Sequence, residues 1–189
     1  MHLGIADLLG ERNYFYMMHL GPFRARDSPE YWNYARKNNI IGLAHEETVP
    51  KKWDSLSDSE KNRLFEEHPR IASQFRMFCN EMMKGDIVLI LGGRHWLRGV
   101  AQITKGNYRF DPNPQRTNRF NQRPEESFFG HIRDVRWLKG YGTYDPLSLG
   151  DKILGLDNIL TRVPRSSKLW GILTDLDSIS LAQLSQYVF

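Results

Sequence analysis

The sequence predicts an α+β fold, a small curled β-barrel built from one mostly antiparallel sheet with helices packed around it. Three observations lead there. Short apolar runs bounded by Gly, Asn, Asp and Pro read as strands, the first of them the aromatic-rich "NYFYMMHL" (Asn13–Leu20). Two apolar stripes at helical spacing fall between the second and third of these runs. After Asp86 the strands then follow one another with hairpin-like connections, the order expected of a sheet that curls on itself.

The elements follow in order. Ser28 as N-cap, Pro29 at the first position and Glu30 in the first turn start a helix, with Tyr31, Trp32, Tyr34 and Ala35 at helical spacing and Asn38-Asn39 at its end. "IIGLAH" (Ile40–His45) is the second strand, and a polar connection leads to helices at about Asp58–Glu67 and Pro69–Met83. Leu64, Phe65, Ile71, Phe75, Phe78 and Met82 supply their core stripe. Three strands follow at Asp86–Leu91, Gly99–Thr104 and Phe128–Leu138, then a short one near Asn158–Val163 and a final helix from about Ser180. The Asn-, Pro- and Arg-rich stretch before Phe128 is long for a loop, and loops of that length tend to be functional or mobile. The expectation is one domain over 1–189, with its core at about 13–140 and a C-terminal extension over 141–189.

Composition narrows the class. With 40% hydrophobic, 25% charged and 12% aromatic residues, the chain suits an ordered globular domain. No run approaches the roughly 18 apolar residues of a membrane span, and the N-terminus lacks the parts of a signal peptide. The single cysteine, Cys79, excludes an internal disulfide and a cysteine-rich zinc site, so a reducing, cytoplasmic setting is the default. Cys79 sits among Met77, Phe78 and Met82 and reads as inert packing.

Net charge is +4, but Leu91 to Gly140 holds ten Lys/Arg against four acids, a local +6. A concentrated basic stripe points to a polyanion-facing surface, whereas the plainer reading is a solubilising face. Within it, "GGRHWLR" connects two strands and carries an indole among basic groups. The six histidines are scattered, with no HxH or HExxH spacing. His45-Glu46-Glu47 would point to alternate faces of an extended chain. No GxSxG, phosphate loop or paired carboxylates appear. The expectation is therefore no catalytic residue, no metal and no cofactor; a small metal-dependent nuclease is the less favoured alternative.

The run "MKGDIVLI", then "RGVAQI", a basic aromatic loop and "FFGHIRDVRWL", preceded by "YWNYARKNNIIGLAH", resembles PUA-like barrels of the EVE and YTH type. Within that group it resembles the N-terminal DNA-binding domain of archaeal McrB-type restriction proteins, over roughly Tyr14 to Leu138. The resemblance implies a reader of a modified base that leaves the stack and enters an aromatic pocket, methylated double-stranded DNA being the expected partner. It leans to N6-methyladenine, with 5-methylcytosine DNA or methylated RNA as alternatives. It also implies a C-terminal AAA+ GTPase motor outside this chain, a separate nuclease subunit, and no membrane partner.

By position, the resemblance puts Tyr108 and Phe110 in the pocket, with Asp27 near the base edge. His45 stands where the family shows a tryptophan, a departure that Trp53 is placed to compensate. Arg94, His95, Arg98, Lys105 and Arg109 are the phosphate candidates. Trp96 is either a wedge at the gap left by a flipped base or an indole folded back on the barrel. Trp32 and Trp137, on regular elements, read as core.

Overall fold

The computed structural model describes residues 11–20, 29–43, 48–92, 96–112, 129–140, 147–148 and 160–167. In chain order these form β1 (Phe15–His19), α1 (Pro29–Asn38), β2 (Ile40–Leu43), a 3-10 turn (Trp53–Ser55), α2 (Asp58–Glu67) and α3 (Pro69–Arg76). A π-helical turn (Met77–Glu81), β3 (Ile87–Leu91), β4 (Trp96–Ile103), β5 (Arg109–Phe110), β6 (His131–Gly140), β7 (Leu147–Ser148) and β8 (Leu160–Arg162) follow. The fold is α+β: the strands make one curled half-barrel sheet ordered β2-β6-β4-β3-β1-β8, with β5 added to β6 and β7 to β4, accompanied by three helices. The helix expected from Ser180 and the N-cap Ser28 lie outside the described residues.

Strand β6 produces much of the curl by changing partners along its length. Its first four residues pair with β2, from Leu43↔His131 to Ile40↔Asp134, and its second half pairs with β4. Val135 N–H donates to Asn39 O on one edge, while Thr104 and Asp111 N–H donate to Asp134 and Gly130 O on the other. So β5 continues the β4 edge after an interruption. Register shifts at Ile90/Leu91 and Val100/Ala101 add the local twist of β-bulges. All pairs are antiparallel except β1 and β3, which run parallel from Phe15↔Ile87 to His19↔Leu91. That pairing requires the long crossover that α1, β2, α2 and α3 provide.

The "KGD" before β3 has a structural cause. Gly85 sits at φ 97, where a side chain is strained. Asp86 is fully buried; its Oδ1 accepts from Tyr14 N–H at 2.9 Å and the Asn13 amide at 3.0 Å, and its Oδ2 from Met83 N–H at 2.7 Å. One carboxylate thus fixes the turn to the start of β1. Gly42 serves closeness instead: a Cβ there would lie 2.2 Å from the buried Phe129 ring.

Helix α2 begins with a capping box, Ser57 with Glu60, and the Ser57 N–H, with Lys51 after it, holds the Glu60 carboxyl down at about 2. The next helix departs from expectation. Regular α-helix stops at Arg76, and a π turn closes with Met82 N–H donating to Met77 O. The cause lies across the fold: Arg133, 1% exposed, donates to Phe78 O at 2.5 Å, Cys79 O at 2.9 Å and Gly106 O at 2.7 Å. A guanidinium at a helix C-terminus takes up carbonyls that the helix itself leaves unmatched.

Tyr16, Met18, Val88, Ile90, Ala101 and Ile103 face Trp32, Leu64, Phe75 and Phe78 of the helical segments in one core. The opposite face of the central strands, with Phe15, Met17, Ile87, Leu89 and Val100, is buried as well. Hence these strands read as unbroken apolar runs rather than as an alternating pattern. Trp32 and Trp137 pack edge to face at 5.0 Å, Trp32 fully inside and Trp137 partly so.

Candidate nucleic-acid interface

The ring-bearing end of the half-barrel is organised around His131, the first residue of β6. It lies opposite Leu43 of β2 on one edge and Phe110 of β5 on the other. Its ring is fully buried, and Nε2, 3.3 Å from Val49 O, donates to that carbonyl. Burial pushes its pKa down to about 4, so the imidazole is neutral near neutral pH. Nδ1 then faces the Cys79 thiol, with 4.0 Å between the heavy atoms. Burial pushes that thiol up to about 12. An ion-paired thiolate and imidazolium, the activated form of a Cys–His pair, is therefore disfavoured from both sides.

Aromatic rings surround this imidazole. Phe75 meets it edge-on at 4.6 Å, Tyr108 stacks on it at 5.7 Å and 19°, and Phe110 leans against it at 4.8 Å and 55°. Behind Phe75, Trp53 stacks at 6.1 Å, with Phe65 edge-on to the indole at 6.3 Å. The Tyr108 ring is 5% exposed, and its phenol is pushed above its ordinary pKa by burial, then by the nearby Cys79 and Asp54. Phe110 is only partly covered, and Lys52 Nζ lies 5.6 Å from the Tyr108 ring centroid. These two side chains form the water-facing side of the cluster. Its back is held by Arg133, which joins the π turn carrying Cys79 to Gly106, two residues before Tyr108.

Cations flank the rings in a defined way. Lys105 and Arg109 both reach Asp134, at 2.7 and 2.8 Å. Burial raises the Asp134 carboxyl, but hydrogen bonds from Lys105 and then Arg109 outweigh it and hold the pKa below the usual carboxylate range. Two well-exposed cations thus share one carboxylate.

The structure gathers some expected site residues and moves others. Tyr108 and Phe110 come together, beside Lys105 and Arg109. Trp53 is a core residue, 1% exposed with its faces taken by Phe65 and Phe75, and touches the cluster through Phe75. Trp96 opens β4 directly after the β3–β4 connection, its carbonyl accepting from Gly92 N–H at 2.7 Å; it pairs with Ser148 of β7 and is 43% exposed. Arg98 lies inside the same strand, 9% exposed, folded so closely over Gly92 that a Cβ there would meet its Nε at 2.5 Å. Asp27, His45, Arg94 and His95 lie outside the described residues, as do Arg116, Arg119 and Arg123.

Three contributors escape a reading by residue type: His131, Phe75 and Lys52. The signal for His131 was its spacing, since Arg133 and Val135 follow it at intervals of two and all three are buried. Chemically, the cluster offers stacking surfaces and neutral polar groups in a water-poor setting, with cations at its rim. The rings of Tyr108, Phe110 and Phe75 pack directly on the imidazole.

Comparison with known proteins adds the following. No curated protein matches. A likeness is found to the crystal structure of the YTH domain of the Zygosaccharomyces rouxii MRB1 protein in complex with N6-methyladenosine RNA. It has a TM-score of 0.40 and 11% identity, covering 87% of this chain and 89% of that one. Residues 16–159 match the family described as "Domain of unknown function (DUF8426)", and the chain belongs to that family.

Proposed function

We propose that this domain binds nucleic acid at the β5–β6 end of the half-barrel and reads a modified base there. The observation that carries this reading is one juxtaposition: the partly exposed Phe110 and the Tyr108–His131 stack lie beside Lys52, Lys105 and Arg109. In this reading Phe110, on a two-residue strand, swings away and a base displaced from its helix stacks on Tyr108. Extruding a base costs a few kcal/mol, and stacking recovers roughly 1–3 kcal/mol per base. Phosphate contacts by the exposed Lys105 and Arg109 add sequence-blind attraction. The finer proposal rests on the sequence resemblance. It holds that the base is N6-methyladenine in duplex DNA, and that the domain is the recognition part of a cytoplasmic McrB-like restriction system with an AAA+ GTPase motor and a separate nuclease.

A binding panel tests both levels. Matched DNA duplexes and RNAs carry unmodified bases, N6-methyladenine or 5-methylcytosine, with affinity read by fluorescence anisotropy. The expected result is tightest binding to N6-methyladenine DNA; preference for 5-methylcytosine or for RNA would redirect the finer proposal. Phe110→Ala and Tyr108→Ala should remove discrimination while leaving salt-dependent background binding. Full discrimination by both folded variants would refute the pocket. Binding without turnover is part of the proposal, and degradation of nucleic acid with a divalent metal present would contradict it.

A further inference from the structure

The opposite end of the strand order carries a second concave surface. It opens where β8 runs beside the start of β1, below the π turn, with a volume of about 570 Å³. Tyr14, Met77, Thr161, Arg162, Arg165 and Ser166 line it. The guanidinium carbons of Arg162 and Arg165 lie 5.0 and 4.7 Å from the Tyr14 ring centroid. Arg162 is steadied by Glu81 at 3.3 Å, and Arg76 draws on the same carboxylate at 3.1 Å. Arg165 is steadied by the carbonyls of Glu11 and of Asn13, the latter at 3.0 Å. Two guanidiniums are thereby held within 5.0 Å of one ring's centroid in the lining of a groove.

We infer that this groove binds an organic phosphate: a phosphodiester of a nucleic-acid strand or the phosphate of a free nucleotide. Guanidinium planes match phosphate oxygens in pairs, and side chains already fixed by other contacts lose little freedom on binding. The groove has the size of a small-ligand site, roughly 300–1,000 Å³. Thr161 in the same wall carries a buried hydroxyl without a hydrogen-bond partner among the described residues. Charge agrees: Arg12, Arg76, Arg162 and Arg165 stand in and around these segments against Glu11, Glu81 and Asp86. The inference stands independently of the base pocket at the other end of the sheet.

The experiment uses the full chain and two probes, a ten-nucleotide oligothymidylate and AMP. Neither carries a modified base. Tyr14 ring resonances are followed by NMR during titration, and oligonucleotide affinity by anisotropy across salt. The expected result is a shift of the Tyr14 resonances with at least one probe. Oligothymidylate acting alone would assign the groove to a strand, and AMP to a nucleotide. Arg162→Gln, checked for folding by its melting curve, should weaken the active probe about tenfold. For the oligonucleotide it should also reduce the salt slope by about 0.7. Tyr14 resonances indifferent to both probes, or binding indifferent to Arg162→Gln, would overturn the inference.

Discussion

Replacing Arg133 by methionine keeps an unbranched side chain in its buried channel and deletes the guanidinium. Three carbonyls, Phe78, Cys79 and Gly106, lose their donor. Hydrogen bonds to a charged group contribute about 1.5–3 kcal/mol each, so the gross loss is about 5–9 kcal/mol. Against it stands relief from burying a charge, an effective several kcal/mol. The two terms leave a net loss of about 2–4 kcal/mol, because the orphaned carbonyls remain in the interior. For a chain of this size that corresponds to a fall in melting temperature of roughly 5–15 °C. Arg133→Lys cannot span all three acceptors and should recover only part of it. Urea denaturation gives the free energy, and an unchanged m-value shows that the unfolded state is the same. A methionine variant within about 0.5 kcal/mol of the native protein, the scatter of neutral substitutions, would show that the three bonds merely offset desolvation. The π turn would then need another explanation.

Two further outcomes follow from the ring cluster. His131 has its folded pKa depressed to about 4 from the ordinary 6.5, so the unfolded state binds the proton first. Stability is therefore complete above about pH 6.5 and falls as the pH drops toward 4, by about 3 kcal/mol in all. Denaturation midpoints at stepped pH measure this, and His131→Gln should flatten the profile in that window. Cys79, with its thiol pushed up to about 12, should resist iodoacetamide at pH 8 in the folded protein and react on unfolding; rapid labelling of the native state would contradict the burial that sets its pKa.

What the sequence makes legible follows from how local each cause is. Helix α2 runs from Asp58 to Glu67 as its periodicity indicates, because its cap, Ser57 with Glu60, lies within the helix's own first turn. Strand β3 is equally plain, being a short apolar run between polar turns. The π turn is different, since Arg133, more than fifty residues away, takes the carbonyls that end the regular helix. Likewise β4 begins at Trp96 rather than Gly99, because β7 supplies partners that no neighbouring residue announces. At the site, the family resemblance named Tyr108 and Phe110, and the structure sets both rings against His131. His131 was not legible, since an imidazole in a polar-looking strand reads as surface until burial and the Val49 carbonyl reveal it as the centre of the cluster.

The pairing of β1 has a consequence for how the protein is made. This strand leaves the ribosome before both of its neighbours, β3, from Phe15↔Ile87 onward, and β8, where Met18 meets Leu160. Both of its hydrogen-bonding sides thus wait for segments translated much later, and such distant pairings slow folding. Until then, Phe15 to Met18 form an unprotected sticky segment on the nascent chain. A product that stops short of Leu160 would leave one side open for good, inviting self-association; its solubility beside that of the whole chain would expose the dependence.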